Sequence, residues 1–215
     1  MIIDHNHLAY KDKWRNAGDN QFNGAYFYSM EIRDNIIPRV KTDRNWITVN
    51  VEGVGCDHSI VFIHNNLHPE NYDWLSVYDD LILVCGIEET MDKVSHLGKA
   101  IHLPLSIDVE DVRRYIRPKT ERRAFAGRLA KKGGIQLGNV DIIGGMPRDK
   151  FLSTLARYEE VYAVGRVALE ALVLGCKILP YDSRFPDVDR WKVLDNKDAS
   201  VILQKRLDEV ETASP

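Results

Sequence analysis

Two short, unbroken apolar runs constrain the fold of this chain more than any other feature: Ser59-Ile-Val-Phe-Ile63 and Asp80-Leu-Ile-Leu-Val84. Runs of this length without polar alternation suit strands buried on both faces, the signature of a parallel sheet covered by helices. Helical spacing separates them. Pro69 to Tyr78 forms a short helical segment, and Glu88 to Leu97 places Met91, Val94 and Leu97 on one side. A further strand follows at Lys99 to Leu103. Upstream, a short strand at Ile2 and Ile3 precedes a polar opening. A helical stripe then runs from Ala25 to Ile37 and ends at Pro38, and Trp46 to Val51 alternates as a strand.

After a charged stretch from 108 to 123 the alternation starts again. Strands are expected at Ala124 to Gly127, Val140 to Ile143, Val161 to Val164 and Cys176 to Pro180, with helices at Arg148 to Tyr158 and Arg166 to Leu174. An amphipathic helix from Asp198 to Glu211 closes the chain. The expected fold is therefore α/β, with two small Rossmann-like parallel-sheet halves. The boundaries that follow are 1–105 for a first domain, 106–195 for a second and 196–215 for a helix and tail.

Composition narrows the function classes. The formal net charge is -3 and the sequence pI about 6.2, so no global basic field draws the chain to nucleic acid or an anionic membrane. A local group, Arg113, Arg114, Arg117, Lys119, Arg122 and Arg123, offers charge to phosphates or else forms a solvated linker, which leaves a nucleic-acid acceptor open. Cys56, Cys85 and Cys176 are widely spaced and odd in number, which points to reduced thiols and a cytoplasmic setting. No signal peptide or membrane span is expected. Asp4, His5 and His7, like Asp57 and His58, lack the spaced partners of a metal site, so no metal is expected. Trp14, Trp46, Trp74 and Trp191 suit packing better than base stacking.

Open parallel sheets bind ligands at the carboxyl ends of their strands, and in the second half those ends run into glycine. The first meets Gly127-Arg128-Leu-Ala-Lys131-Lys132, the second Gly144-Gly145, the third Gly165-Arg166. Glycine lets backbone approach a ligand, and a helix beginning there offers N–H groups and a positive dipole end to a phosphate. Arg128 and Lys132 add the charge a diphosphate needs. In the stretch Gly165-Arg-Val-Ala-Leu-Glu170-Ala-Leu-Val-Leu-Gly-Cys-Lys-Ile-Leu-Pro, Glu170 is the one carboxylate in an apolar helix. It either pairs with Arg166 at i-4 on an exposed surface or turns to a cleft and accepts from two sugar hydroxyls.

This stretch resembles the donor-site helix of GT-B glycosyltransferases, in which a glycine-led turn opens a helix of pattern Glu-Ala-x-x-x-Gly. His102 to Asp108 resembles that family's interdomain crossing, Ala126-Gly-Arg-Leu its phosphate loop, and Val140-Asp-Ile-Ile-Gly-Gly its next strand and turn. The resemblance covers residues 99 to 182. It implies two halves in a GT-B-like arrangement and transfer of a sugar from a nucleotide-diphosphate donor to an unidentified acceptor, with the donor as substrate and no cofactor. It further implies donor contacts from Gly127, Arg128, Lys132, Gly144, Gly165, Arg166 and Glu170, with Glu170 on the ribose. His64, at a strand end of the first half, is the candidate base or sugar contact. One departure stands out: where retaining members place an acidic residue eight positions before the ribose glutamate, this chain has Tyr162. That departure suits an alternative, a GT-B-like nucleotide-binding or protein-interaction module without catalysis. A third reading, a sugar-nucleotide epimerase, lacks the extra acid/base carboxylates.

Overall fold

The computed structural model describes residues 1–3, 24–48, 55–64, 69–126, 140–179 and 188–212. The chain is α/β and divides into two compact units, each built on a parallel sheet. The first unit takes the N-terminal strand, Ala25–Leu105 and the chain from Asn196 onward; the second takes Ser106–Asp195. The C-terminal helix is thus part of the first unit and not a separate appendage.

Five strands form the first sheet in sequence order: β1 (Ile2–Ile3), β2 (Asn45–Ile47), β3 (Ser59–Ile63), β4 (Leu81–Cys85) and β5 (Lys99–His102). Every residue of β3 and β4 is buried, as their continuous apolar runs require. In register, Ile47, Val61 and Leu83 lie side by side on one face, in a core with Tyr72, Leu75, Val94 and Leu97. Tyr72 and Leu75 come from the 3-10 segment Pro69–Val77, and Val94 from helix α2 (Glu89–Val94). At Gly98 the chain enters β5 so close to β4 that an added Cβ would stand 2.6 Å from the Leu81 carbonyl oxygen.

The stripe read as one helix over Ala25 to Ile37 is a composite. Helix α1 (Gly24–Glu31) passes into a π turn at Ile32–Ile36 and a 3-10 turn at Ile37–Arg39. Pro38 has no N–H to continue an α-helical ladder, and it sits in the opening of the 3-10 turn. The π turn buries Ile32 and Ile36 fully and packs against the C-terminal helix, labelled α6 below.

The second sheet has four strands in the order β7-β6-β8-β9: β6 (Glu121–Ala126), β7 (Asp141–Ile143), β8 (Tyr158–Tyr162) and β9 (Lys177–Leu179). Between them lie α3 (Val109–Arg113), α4 (Arg148–Leu155) and α5 (Arg166–Val173); α6 (Asn196–Thr212) follows. β6 begins three residues earlier than apolar patterning suggests. Its charged start is stabilised across the sheet, where Arg123 stands in register with Glu160 and ion-pairs with it. α4 stops at Leu155, and Tyr158, read as a helix end, opens β8 in a buried position. The chain enters and leaves this unit along one line, with Ile107 bridged to Asp195.

Candidate functional site

Strand order reverses at β6 in the second sheet. The chain goes from β6 to β7 on one side and returns through α4 to β8 on the other, whereas the first sheet runs straight through. Reversals of this kind mark ligand sites in open parallel sheets, at the carboxyl ends of the strands concerned. Two described strand ends converge on helices there. β7 leads through Gly144-Gly145-Met146-Pro147 into α4, and β8 leads through Ala163-Val164-Gly165 into α5. Gly165 holds φ 62° and ψ -140°, a region closed to residues with a Cβ. Pro147 and Gly165 are the N-cap residues, and neither helix start receives a side-chain cap, whereas Asp108 caps α3 by accepting from the Asp111 N–H at 2.9 Å. An arginine opens each of the two helices, Arg148 in α4 and Arg166 in α5.

Both arginines meet Glu170, one turn further along α5. Arg148 Nη1 donates to Glu170 Oε1 at 2.6 Å and Arg166 Nε donates to the same oxygen at 2.8 Å. The Glu170 side chain is 2% exposed and that of Arg166 7%, while Arg148 is 18% exposed. On the more open side Asp111 of α3 approaches Arg148 at 4.0 Å. Burial alone would push the Glu170 carboxyl up, but the guanidiniums of Arg166 and Arg148 outweigh it and hold the group below the ordinary glutamate range. Glu170 is therefore ionised at neutral pH and shared between two helices. It joins the i-4 pairing with Arg166 to burial, a combination the exposed-surface reading did not include.

Gly127, Arg128 and Lys132 lie outside the described residues, as do Asp4, His5, His7 and Trp14. Gly144 is exposed directly after β7. His64 follows β3 in the first unit, where its backbone N–H donates to the Tyr72 hydroxyl at 2.8 Å. Its ring Nε2 lies 2.5 Å from the Thr48 carbonyl oxygen. A carbonyl only accepts, so Nε2 carries the proton and any base chemistry falls to Nδ1. Tyr28 packs edge-on against the ring, with centroids 5.6 Å apart.

Four of the six cations between Arg113 and Arg123 are engaged within the protein. Arg113 pairs with Glu110 at 2.7 Å, Arg114 with Asp111 at 3.6 Å and Arg123 with Glu160. Lys119 turns inward: its Nζ donates to the carbonyls of Ala156 at 3.0 Å and Leu174 at 2.7 Å, the C-cap residues of α4 and α5. It also contacts Cys176 Sγ at 3.2 Å. The three cysteines form no disulfide and are buried, and burial raises each thiol, Cys56 to about 11 and Cys85 to about 12, so they remain protonated. His58 sits between Asp80 at 2.6 Å and Asp43 at 3.4 Å, and the Asp80 hydrogen bond raises its pKa. Among the described residues no group of three or more His, Cys, Asp or Glu could hold a metal ion. No described helix is long and apolar enough to cross a membrane. Trp46 is buried against Phe62, and Trp74 packs on the core of the first unit.

Sequence reasoning passed over Arg148 as a site residue. The signal was present, since Gly-Gly-Met-Pro-Arg148 and Val-Gly-Arg166 both run from a strand through glycine to a helix led by arginine. No family model matches the chain, and no curated protein matches it either.

Proposed function

We propose that the chain is a small glycosyltransferase whose second unit binds a nucleotide-diphosphate sugar at the carboxyl end of its sheet. One observation carries this reading. At the reversal of strand order, two strands pass through glycine into helices that open with Arg148 and Arg166. Cations and helix N-termini at such a reversal suit a diphosphate, whose leaving charge they would stabilise during transfer. His64 is the first candidate for the base that takes the acceptor's proton. A binding module without turnover is the second reading. It is favoured by the engagement of Glu170 with two arginines and by Tyr162 at the position where retaining relatives of the GT-B type carry an acid.

Calorimetry of the full chain with UDP, GDP and ADP and their sugars tests donor binding, with Arg166→Gln expected to weaken it at least tenfold. Donor hydrolysis followed in parallel separates the enzyme from the binder. If none of these nucleotides binds, the proposal fails; if a donor binds and is never turned over across acceptor panels, the second reading replaces the first.

A further inference from the structure

We infer that Glu170 is a positioning residue: it holds Arg148 and Arg166 together across α4 and α5 as a seat for a diphosphate group, and it does not touch the nucleoside. The inference deepens the reading of the same site and rests on it for the identity of the full ligand. Its ground is geometric. The two donor nitrogens lie 2.6 and 2.8 Å from one carboxylate oxygen, so two like charges on different helices are brought side by side. Two guanidiniums repel at that range, and in a site this dry the repulsion is strong. A shared anion is what keeps them adjacent. The Glu170 side chain is 2% exposed and its Oε1 serves the two arginines, whereas the Arg148 side chain retains 18% exposure.

A diphosphate matches the pair in chemistry as well as position. Guanidinium forks bind phosphate oxygens in a fixed plane, and two forks held in one place match two linked phosphoryl groups better than a mobile lysine would. Asp111, 4.0 Å from Arg148 and itself 35% exposed, is the competing anion at the open side. An entering diphosphate takes over that contact.

The experiment uses Glu170→Asp in the full chain. The substitution keeps the charge but shortens the arm by one methylene, so one oxygen no longer reaches both arginines. Binding of inorganic pyrophosphate, of the nucleoside and of the nucleoside diphosphate is measured by calorimetry, with circular dichroism as the check on folding. The expected result is a loss of about tenfold or more for pyrophosphate and the nucleoside diphosphate, with nucleoside affinity unchanged; a merely structural residue would not split the ligands in this way. An equal loss for nucleoside and nucleoside diphosphate overturns the inference and leaves the nucleotide reading standing, because it makes Glu170 a ribose contact. Pyrophosphate binding to the wild type with no nucleotide binding has the opposite consequence. Should Glu170→Asp not fold, Arg148→Gln alters the more exposed partner: unchanged pyrophosphate affinity in that variant, or no pyrophosphate binding to the wild type, rejects the seat.

Discussion

Glu170→Ala is the perturbation whose cost follows most directly from the structure. The substitution removes a carboxylate that is 2% exposed and leaves Arg166, 7% exposed, and Arg148 without their shared anion. Two charge-assisted hydrogen bonds disappear, each worth about 1.5 to 3 kcal/mol. Arg148 recovers part of its share by moving toward solvent and Asp111, whereas Arg166 is the more deeply buried of the two. Breaking a buried pair by removing one partner typically costs about 3 to 5 kcal/mol, and that is the expected loss here. In urea, with an m-value of about 1 to 3 kcal/mol/M, the unfolding midpoint should fall by about 1 M or more at unchanged m. The effect should also depend on acid. A carboxyl depressed in the folded state contributes its full stability above the unfolded value of about 4.3 and loses it as the pH falls through the folded value. Wild type and variant should therefore differ by a constant amount from neutrality to about pH 5 and converge below it. The double variant Arg166→Met with Glu170→Leu should regain most of the loss, because the buried charge leaves with its partner. A measured cost below about 1 kcal/mol, the worth of an exposed i,i+4 pair, would refute the buried cluster.

Three further outcomes follow from particular contacts. Gly165→Ala forces a Cβ onto φ 62° and should cost about 1 to 3 kcal/mol, read as a lower thermal midpoint. Lys119→Met strips the caps from the last carbonyls of α4 and α5 and should destabilise by about 1 to 3 kcal/mol in denaturant titration, while nucleotide affinity is unchanged. His58→Gln should remove a pH dependence: the raised folded pKa means that its contribution is complete below the unfolded value near ~6.5 and is lost as pH rises through the folded one, so wild type and variant should converge on the alkaline side in thermal melts.

The division into two parallel-sheet units was legible because β3 and β4 are unbroken apolar runs and because alternation restarts after a charged stretch. Element edges were less legible where charge substitutes for hydrophobicity. β6 starts on Glu121-Arg-Arg, and its pairing with β8, together with the ion pairs of Arg123 with Glu160 and of Glu121 with Arg157, makes that a strand. Lys119 shows the same limit from the other side. In sequence it is one cation among six, and its role depends on two carbonyls 37 and 55 residues away. The burial of Glu170 was half visible: its i-4 arginine is local, whereas Arg148, which completes the cluster, lies 22 residues earlier across two strand–helix junctions. Short-range periodicity carries no information about such pairs.

The two ends of the second sheet bear charges with opposite consequences. At the amino end Lys119 satisfies carbonyls from two helix C-termini, so its charge is spent on backbone and its position is fixed by the fold. At the carboxyl end two helices start without side-chain caps, at Pro147 and Gly165, and each leads with an arginine. A chain selected for stability alone would place Ser, Thr, Asp or Asn at those caps, as it does with Asp108 on α3, because a capping side chain contributes about 1 kcal/mol. Forgoing the caps and burying a carboxylate with two guanidiniums is a costly arrangement unless an anion is received there. The first sheet has neither the reversal of strand order nor such a cluster at its carboxyl end among the described residues, where His64 is tied to Thr48 and Tyr72. On the proposed function, the arginine-led helices of the second unit are where a diphosphate would be received.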